Sequence, residues 1–258
     1  MQITALAENT AIDGRFGSEH GLSLYIETRG RKLLFDMGQT GLFLENAKKL
    51  GVSLDGVELA VLSHGHYDHG GGLAAFLEVN KRAKVYASRY AFEPHYHGPE
   101  KYIGLKPELA GSPRLVFAGE REELGPGMTL YSCNREQRER DLGSFGLQTR
   151  EGGVLVPDDF RHEQYLLLEE DGRRVLFSGC SHKGVMDIVR WFRPDVLVGG
   201  FHFSKLPLDE KLEEYARYLD SFPTEYYTCH CTGTAQFEYM GRSMRRLHYL
   251  AGGESVSI

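Results

Sequence analysis

Short apolar runs separated by turn residues organise most of the chain. Residues 2–6 and 22–28 read as strands, and Arg29-Gly30-Arg31 reads as a turn into a third strand over 32–35, so a hairpin is expected. Leu42, Leu44, Ala47 and Leu50 then fall at helical spacing, with Gly51 as the stop. A buried strand over 58–62 follows and runs straight into His64. Further on the order recurs: a strand over 164–169, a turn at Asp171-Gly172, a strand over 174–177, a helix over 184–192, and a strand over 195–199 running into His202. The last part reads as a helix over 209–219, a short strand over 225–228 and a helix over about 235–250.

The two halves also match letter by letter. Leu24 to Phe35 (LYIETRGRKLLF) set against Leu166 to Phe177 (LLLEEDGRRVLF) gives identity at six of twelve positions. Any surface hairpin favours Gly-Arg turns and Leu-rich strands, yet here the following helix and the His-terminated strand correspond as well. The pattern predicts a duplicated β-β-α-β unit. Two such units stacked sheet on sheet with helices outside make an α/β fold, a four-layer αββα sandwich. No low-complexity linker divides the chain, so residues 1–258 are expected to form one domain. Residues 94–160 lack the regularity of the repeat and are read as an irregular insertion. A long connection of this kind can cover a site, and its charged run from Arg135 to Asp141 reads as solvated loop.

Composition narrows the class. A chain of 258 residues with 41% hydrophobic and 26% charged residues can build a sizeable core, which excludes a disordered chain. Thirty Lys and Arg against 36 Asp and Glu leave a net charge of -6, so no basic field points to nucleic acid. No apolar run reaches the ~18 residues of a membrane span, and Met1-Gln2-Ile3-Thr4 does not open a signal peptide. A cytoplasmic protein with no membrane partner is expected. The four cysteines, Cys133, Cys180, Cys229 and Cys231, contain no C-x-x-C pair and read as free thiols or metal ligands.

The strongest chemical signal is Ser63-His64-Gly65-His66-Tyr67-Asp68-His69-Gly70-Gly71-Gly72. Four potential donors fall within six residues at a strand end, and the glycines permit the sharp turn that convergence requires. Imidazole and carboxylate together suit zinc or another first-row ion. Elsewhere the residues leave alternatives open. Cys180 is either a thiolate donor or a buried core thiol. His202, at the repeat position of His64, is a ligand, an outer partner or a substrate contact. His95 and His97 are read as meeting solvent or substrate, with an accessory site as the alternative, and Glu19 and His20 as rim residues or turn polarity. Lys183 is either a phosphate contact or a solvated lysine. Alternation on a strand would send Cys229 and Cys231 to the face opposite His230, so the three are not expected to share one ion.

The H-x-H-x-D-H element at 64–69 resembles the signature of the metallo-β-lactamase fold superfamily, whose duplicated four-layer architecture agrees with the repeat. The resemblance implies that His64 and His66 hold one metal and that Asp68 and His69 hold a second, with an activated water between them. His182 and His230 are implied as further ligands, and Asp68 as the catalytic carboxylate. Many relatives carry the third ligand of metal one just before the second hairpin. Here that stretch is Asp158-Asp159-Phe160-Arg161-His162-Glu163, and no single residue of it is selected. Many relatives also end the second hairpin in Gly-Asp, with a metal-bridging carboxylate, where this chain has Gly179-Cys180. Cys180, His202, Glu19 and Lys183 are left as outer or substrate contacts.

Glu19-His20-Gly21-Leu22-Ser23, Leu34-Phe35-Asp36-Met37-Gly38-Gln39, Ser178-Gly179-Cys180-Ser181-His182-Lys183-Gly184, Gly199-Gly200-Phe201-His202 and His230-Cys231-Thr232-Gly233 narrow the resemblance. They are similar to the subgroup of 7,8-dihydropterin-6-yl-methyl-4-(β-D-ribofuranosyl)aminobenzene-5'-phosphate synthases. The expectation is a hydrolase or transferase with two divalent ions, zinc first, with iron, manganese or a single ion as alternatives. Its partner would be a small phosphorylated or heterocyclic molecule. The competing expectations are an iron-binding redox or metal-sensing protein on the same fold, and a binding module without catalysis. Oligomeric state is not legible.

Overall fold

The computed structural model describes residues 1–258 and contains two seven-stranded sheets and one of four strands. The first large sheet runs in the order Ser255–Ser257, Gln2–Ala7, Ser23–Thr28, Arg31–Phe35, Leu59–Val61, Lys84–Ser88, Leu115–Ala118. The second runs Leu247–Tyr249, Glu225–Thr228, Val196–Gly199, Arg173–Ser178, Tyr165–Glu170, Met128–Tyr131, Arg121–Gly125. Each has the same centre, an antiparallel hairpin followed by a strand parallel to the hairpin's second arm.

The duplication extends to register. Leu24 lies opposite Phe35 in one hairpin and Leu166 opposite Phe177 in the other. Both turns place two residues at positive φ, Arg29-Gly30 and Asp171-Gly172, the two-residue turn that matches strand twist and that glycine accommodates without a Cβ clash. Strand alternation then sorts the side chains. Leu33 and Phe35 point into the core between the sheets, where Phe35 and Phe177 meet at a ring separation of 5.8 Å. Leu34 points outward, under Phe43, Ala47, Leu73 and Phe76 of the helices Leu42–Leu50 and Leu73–Val79. Helices Val185–Phe192 and Glu210–Asp220 cover the second sheet in the same way. The result is the expected four-layer sandwich.

Two expectations need correction. Residues 94–160 are not irregular: they hold seven strands and a 3-10 turn. Leu115–Ala118 extends the first sheet, and Arg121–Gly125 with Met128–Tyr131 extends the second. The third sheet, Val154–Pro157, Leu147–Glu151, His95–His97 and Lys101–Tyr102, lies over the loop that follows Leu59–Val61, through a bridge between His66 and Gly104. These strands are two to five residues long and many face water, so they lack apolar alternation. The second correction concerns residues 235–250. The helix spans only Thr234–Met240, and Leu247–Tyr249 pairs in parallel with Glu225–Thr228 as an edge strand. Met240, Met244 and Leu247 have helical spacing, but the chain leaves the helix at Gly241.

Candidate functional site

Parallel strands point their carboxyl ends to one edge of a sheet, and ligand sites collect there in open α/β sheets. Asp36 follows Arg31–Phe35, His64 follows Leu59–Val61, Cys180 and His182 follow Arg173–Ser178, His202 follows Val196–Gly199, and His230 follows Glu225–Thr228. Asp36, Ser181, His202 and His230 all have positive φ, strained for side chains of this kind and concentrated at this edge. The glycines around the cluster serve differently from the expectation, because none of Gly65, Gly70, Gly71 and Gly72 has positive φ. They permit close packing instead: a Cβ on Gly65 would lie 2.2 Å from Ala91 O, and one on Gly72 2.1 Å from Met37 O.

The sequence-predicted donors meet in two groups. In the first, ligand atoms of His64, His66 and His182 lie within 4.8 Å of one another, with His64 Nε2 and His182 Nε2 3.3 Å apart. Burial, reinforced by neighbouring imidazoles, holds all three histidines well below the ordinary range, so each is neutral at neutral pH. Phe160 stacks on the His182 ring at 4.6 Å. His66 Nε2 and His182 Nδ1 are buried without a hydrogen-bond partner.

In the second group, His69 Nε2 lies 3.1 Å from both Cys180 Sγ and His230 Nε2, and Asp68 Oδ2 lies 3.4 Å from His230 Nε2. The other ring nitrogens are committed: His69 Nδ1 to Asp36 Oδ2 at 2.7 Å, and His230 Nδ1 to Asn9 Oδ1 at 2.8 Å. A neutral imidazole that donates from Nδ1 keeps its lone pair on Nε2. The two Nε2 atoms therefore meet at 3.1 Å, an arrangement that a cation or a proton held between them satisfies; burial disfavours the charged form of His69, but Asp36 and Asp68 outweigh it and raise its pKa. Burial opposes ionisation of Asp68, but His69, His20 and His230 outweigh it and hold the carboxyl well below its ordinary range. Cys180 belongs to both groups, sharing close donor sets with His64 and His69, with His182 and His202, and with His230 and Cys231.

Other expectations fare differently. His202 reaches the cavity, close to Cys180 and His182. Glu19 does not reach it: its carboxylate accepts from Gln39 N, Thr40 N and Thr40 Oγ1, fixing that loop. The neighbouring His20 does, with Nε2 3.1 Å from Asp68 Oδ2. Lys183 is turned away and buried, its Nζ donating to the carbonyls of Ser132 and Glu163, so it is neither solvated nor able to meet a phosphate at this cavity. His97 is exposed at the mouth, 3.1 Å from Lys205 Nζ, whereas His95 is buried with Nδ1 2.8 Å from Asp158 Oδ2. His162 completes a third cluster with His66, His95 and Asp158, and its Nδ1 accepts the Gly65 N–H at 2.9 Å.

The alternation argument holds for Cys229, so Cys229, His230 and Cys231 do not share one centre, but it fails for Cys231. The strand ends at Thr228 and His230–Thr232 forms a 3-10 turn, so Cys231 swings back beside His230 and Cys180 while Cys229 stays in the core between the sheets. Sequence reasoning missed Asn9 and Asp36 as site residues and left Cys231 undivided between free thiol and metal ligand. The motif beginning at Leu34 contained Asp36, but nothing local marks it as a partner of His69, 33 positions away.

The groups open into a cavity of about 270 Å³, with Tyr67, Ile103 and Leu147 on one side and His97, Lys101 and Lys205 at its mouth. No helix is long and apolar enough to cross a membrane, and all four cysteines are free.

Comparison with known proteins gives a consistent result. The pattern of the metallo-beta-lactamase superfamily matches residues 17–222. MJ0448, an uncharacterized protein of Methanocaldococcus jannaschii, is 30% identical over 240 residues, 90% of each chain. The 7,8-dihydropterin-6-methyl-4-(beta-D-ribofuranosyl)-aminobenzene-5'-phosphate synthase of the same organism is 27% identical over 267 residues, covering 90% of this chain and 88% of the relative. Among solved structures, Tm1679, described as a metal-dependent hydrolase of the beta-lactamase superfamily, superposes with a TM-score of 0.84 at 29% identity, covering 100% of this chain and 99% of that one. With most of its length matched by the family pattern and the same fold in Tm1679, the chain belongs to the metallo-beta-lactamase superfamily.

Proposed function

We propose that the chain is a metal-dependent enzyme, a hydrolase or transferase acting on a small phosphorylated or heterocyclic substrate, pterin-related compounds included. One observation carries this reading: His69 Nε2 and His230 Nε2 meet at 3.1 Å, with Nδ1 of each ring already held by Asp36 or Asn9. The donor chemistry fits divalent ions, zinc first. His64, His66 and His182 would hold one ion, and Asp68, His69, Cys180 and His230 the other. Iron, manganese or a single ion are the alternatives that metal analysis separates. Bound ions supply Lewis acidity toward a phosphoryl or carbonyl oxygen and bring a water nucleophile within reach of neutral pH.

The chain's own residues supply the rest. Asp36 and Asn9 select which ring nitrogen His69 and His230 present. Asp68, steadied by His20, is the catalytic carboxylate. Ile103 and Leu147 give the cavity an apolar wall, while Lys101 and Lys205 offer positive charge to an anionic substituent at its mouth; burial and these two lysines lower the pKa of His97, which serves there as a neutral hydrogen-bond partner. The relatives support both reaction types, since Tm1679 is described as a hydrolase and the archaeal relative as a synthase. The types differ in the nucleophile, which is water in hydrolysis and an amine in synthesis.

The test is direct. Zinc-loaded protein is assayed against a phosphoester panel and against paired pterin and aromatic-amine substrates, with chelator-stripped protein as the control. Turnover that disappears with the metal supports the proposal, and inertness of the loaded protein toward both sets overturns it. The second reading, an iron-binding redox or metal-sensing protein, draws on the sulfurs of Cys180 and Cys231 at the site. A colourless, iron-free preparation counts against it.

A further inference from the structure

We infer that Cys231 is a metal ligand and that, with Cys180 and His230, it gives the second ion a pocket with two sulfur donors. The inference rests on the two-ion reading above and changes its chemistry. Ligand atoms of Cys180, His230 and Cys231 lie within 4.8 Å of one another, and all three residues are buried. The 3-10 turn His230–Thr232 brings adjacent residues to the same centre, which a strand would not do. The surrounding backbone is shaped around the sulfur. The His202 N–H donates to Cys231 Sγ at 3.3 Å, and the thiol itself donates to the Cys180 carbonyl at 3.5 Å, which holds the two cysteines together. A Cβ on Gly200 would lie 2.3 Å from the same sulfur, so any side chain there would displace it. Cys229, two positions earlier, packs among apolar side chains between the sheets and provides an internal contrast.

Two thiolates and an imidazole favour zinc, ferrous iron and cobalt over magnesium and manganese, which prefer carboxylate, carbonyl and water. Entry of the ion displaces the two thiol protons to solvent, while the metal–sulfur bonds form without a change of oxidation state. The pocket is therefore matched to a soft or borderline divalent ion.

The test uses the full chain, stripped with chelator and reloaded with cobalt. Metal content is measured together with the near-ultraviolet thiolate-to-cobalt absorption. Wild type is expected to show this absorption, Cys231→Ser to lose part of it, Cys180→Ser to lose part of it, and Cys229→Ser to match wild type. Zinc affinity of Cys231→Ser, read by chelator competition, should fall by more than the ~10–100-fold that loss of an outer partner costs. Full cobalt content with wild-type absorption in Cys231→Ser overturns the inference and leaves the two-ion reading intact. Failure of the wild type to take up cobalt or zinc overturns both. A wild-type crystal loaded with zinc guards against misfolding of the variants: Cys231 Sγ is expected at ~2.3 Å from the ion. An anomalous peak bound by His69 and His230, with that sulfur outside bonding distance, rejects the inference.

Discussion

His69 donates its Nδ1 hydrogen to Asp36 Oδ2 at 2.7 Å, with both side chains fully buried. Asp36 also accepts from the Ser63 N–H and hydroxyl, each at 2.7 Å, so one carboxylate at the end of Arg31–Phe35 organises the start of the loop carrying His64, His66, Asp68 and His69. It fixes the His69 tautomer and adds negative charge behind the ring. Replacement by Asn keeps the shape and removes the charge. Asp36→Asn is expected to weaken zinc binding by ~10–100-fold with the far-ultraviolet circular dichroism retained. Wild-type affinity in chelator competition would show that the pair plays no part in ligation.

A second carboxylate acts from the other side. Asp158 accepts from His95 Nδ1 and the Phe160 N–H, both at 2.8 Å, and lies 3.3 Å from His162 Nε2. Burial disfavours its ionisation, but His162 and His95 outweigh that and hold the carboxyl well below its ordinary range. Since His162 in turn accepts the Gly65 N–H, Asp158 anchors the His-rich loop from beneath the third sheet. Asp158→Ala leaves the buried His95 Nδ1 and the Phe160 N–H without their acceptor and should cost about 1–3 kcal/mol in urea unfolding. A loss below about 1 kcal/mol would mean that the cluster reorganises without it.

The large features of the fold were legible because they are periodic. Leu33, Leu34 and Phe35 alternate between inter-sheet core and outer helices, and the same apolar pattern recurs at Val175, Leu176 and Phe177 with the same register. Strands such as Leu59–Val61 announce His64 because a buried apolar run stops at a polar cluster. The third sheet was hidden because His95–His97 and Lys101–Tyr102 are too short for a period to register. The outer partners were hidden for another reason. Asp36–His69 and Asn9–His230 are contacts across 33 and 221 positions, made by topology and unmarked by any local spacing. Cys231 was misassigned because strand geometry was extended one turn too far, past Thr228.

The two hairpins are tied by Glu170, whose carboxylate accepts from the Thr28 hydroxyl and the Arg29 N–H, each at 3.0 Å. Burial raises its pKa, but these two donors are among the contacts that outweigh it, and the net shift is downward. A depressed carboxyl pKa means that the unfolded chain binds the proton more readily. The contribution to stability is present above the unfolded value near ~4.3 and fades as pH falls through the folded one. In urea unfolding between neutral pH and pH ~3, Glu170→Gln should flatten the acid limb. Parallel curves for wild type and variant would remove Glu170 from the account.

Lys183 separates a substrate contact from a scaffold contact. The sequence beside His182 allows it to meet a phosphate, but the ammonium is spent on the Ser132 and Glu163 carbonyls, and burial lowers its pKa to about 8. Glu163 in turn accepts the backbone N–H groups of His182 and Lys183, so the lysine braces the segment that carries a proposed ligand. Lys183→Met should therefore leave KM for a phosphorylated substrate near the wild-type value while costing about 1–3 kcal/mol of stability, because two buried carbonyls lose their donor. Lys101→Ala and Lys205→Ala, at the cavity mouth, should behave oppositely, raising KM with little loss of stability. A rise in KM for Lys183→Met comparable to theirs, with unfolding unchanged, would place the lysine at the substrate after all.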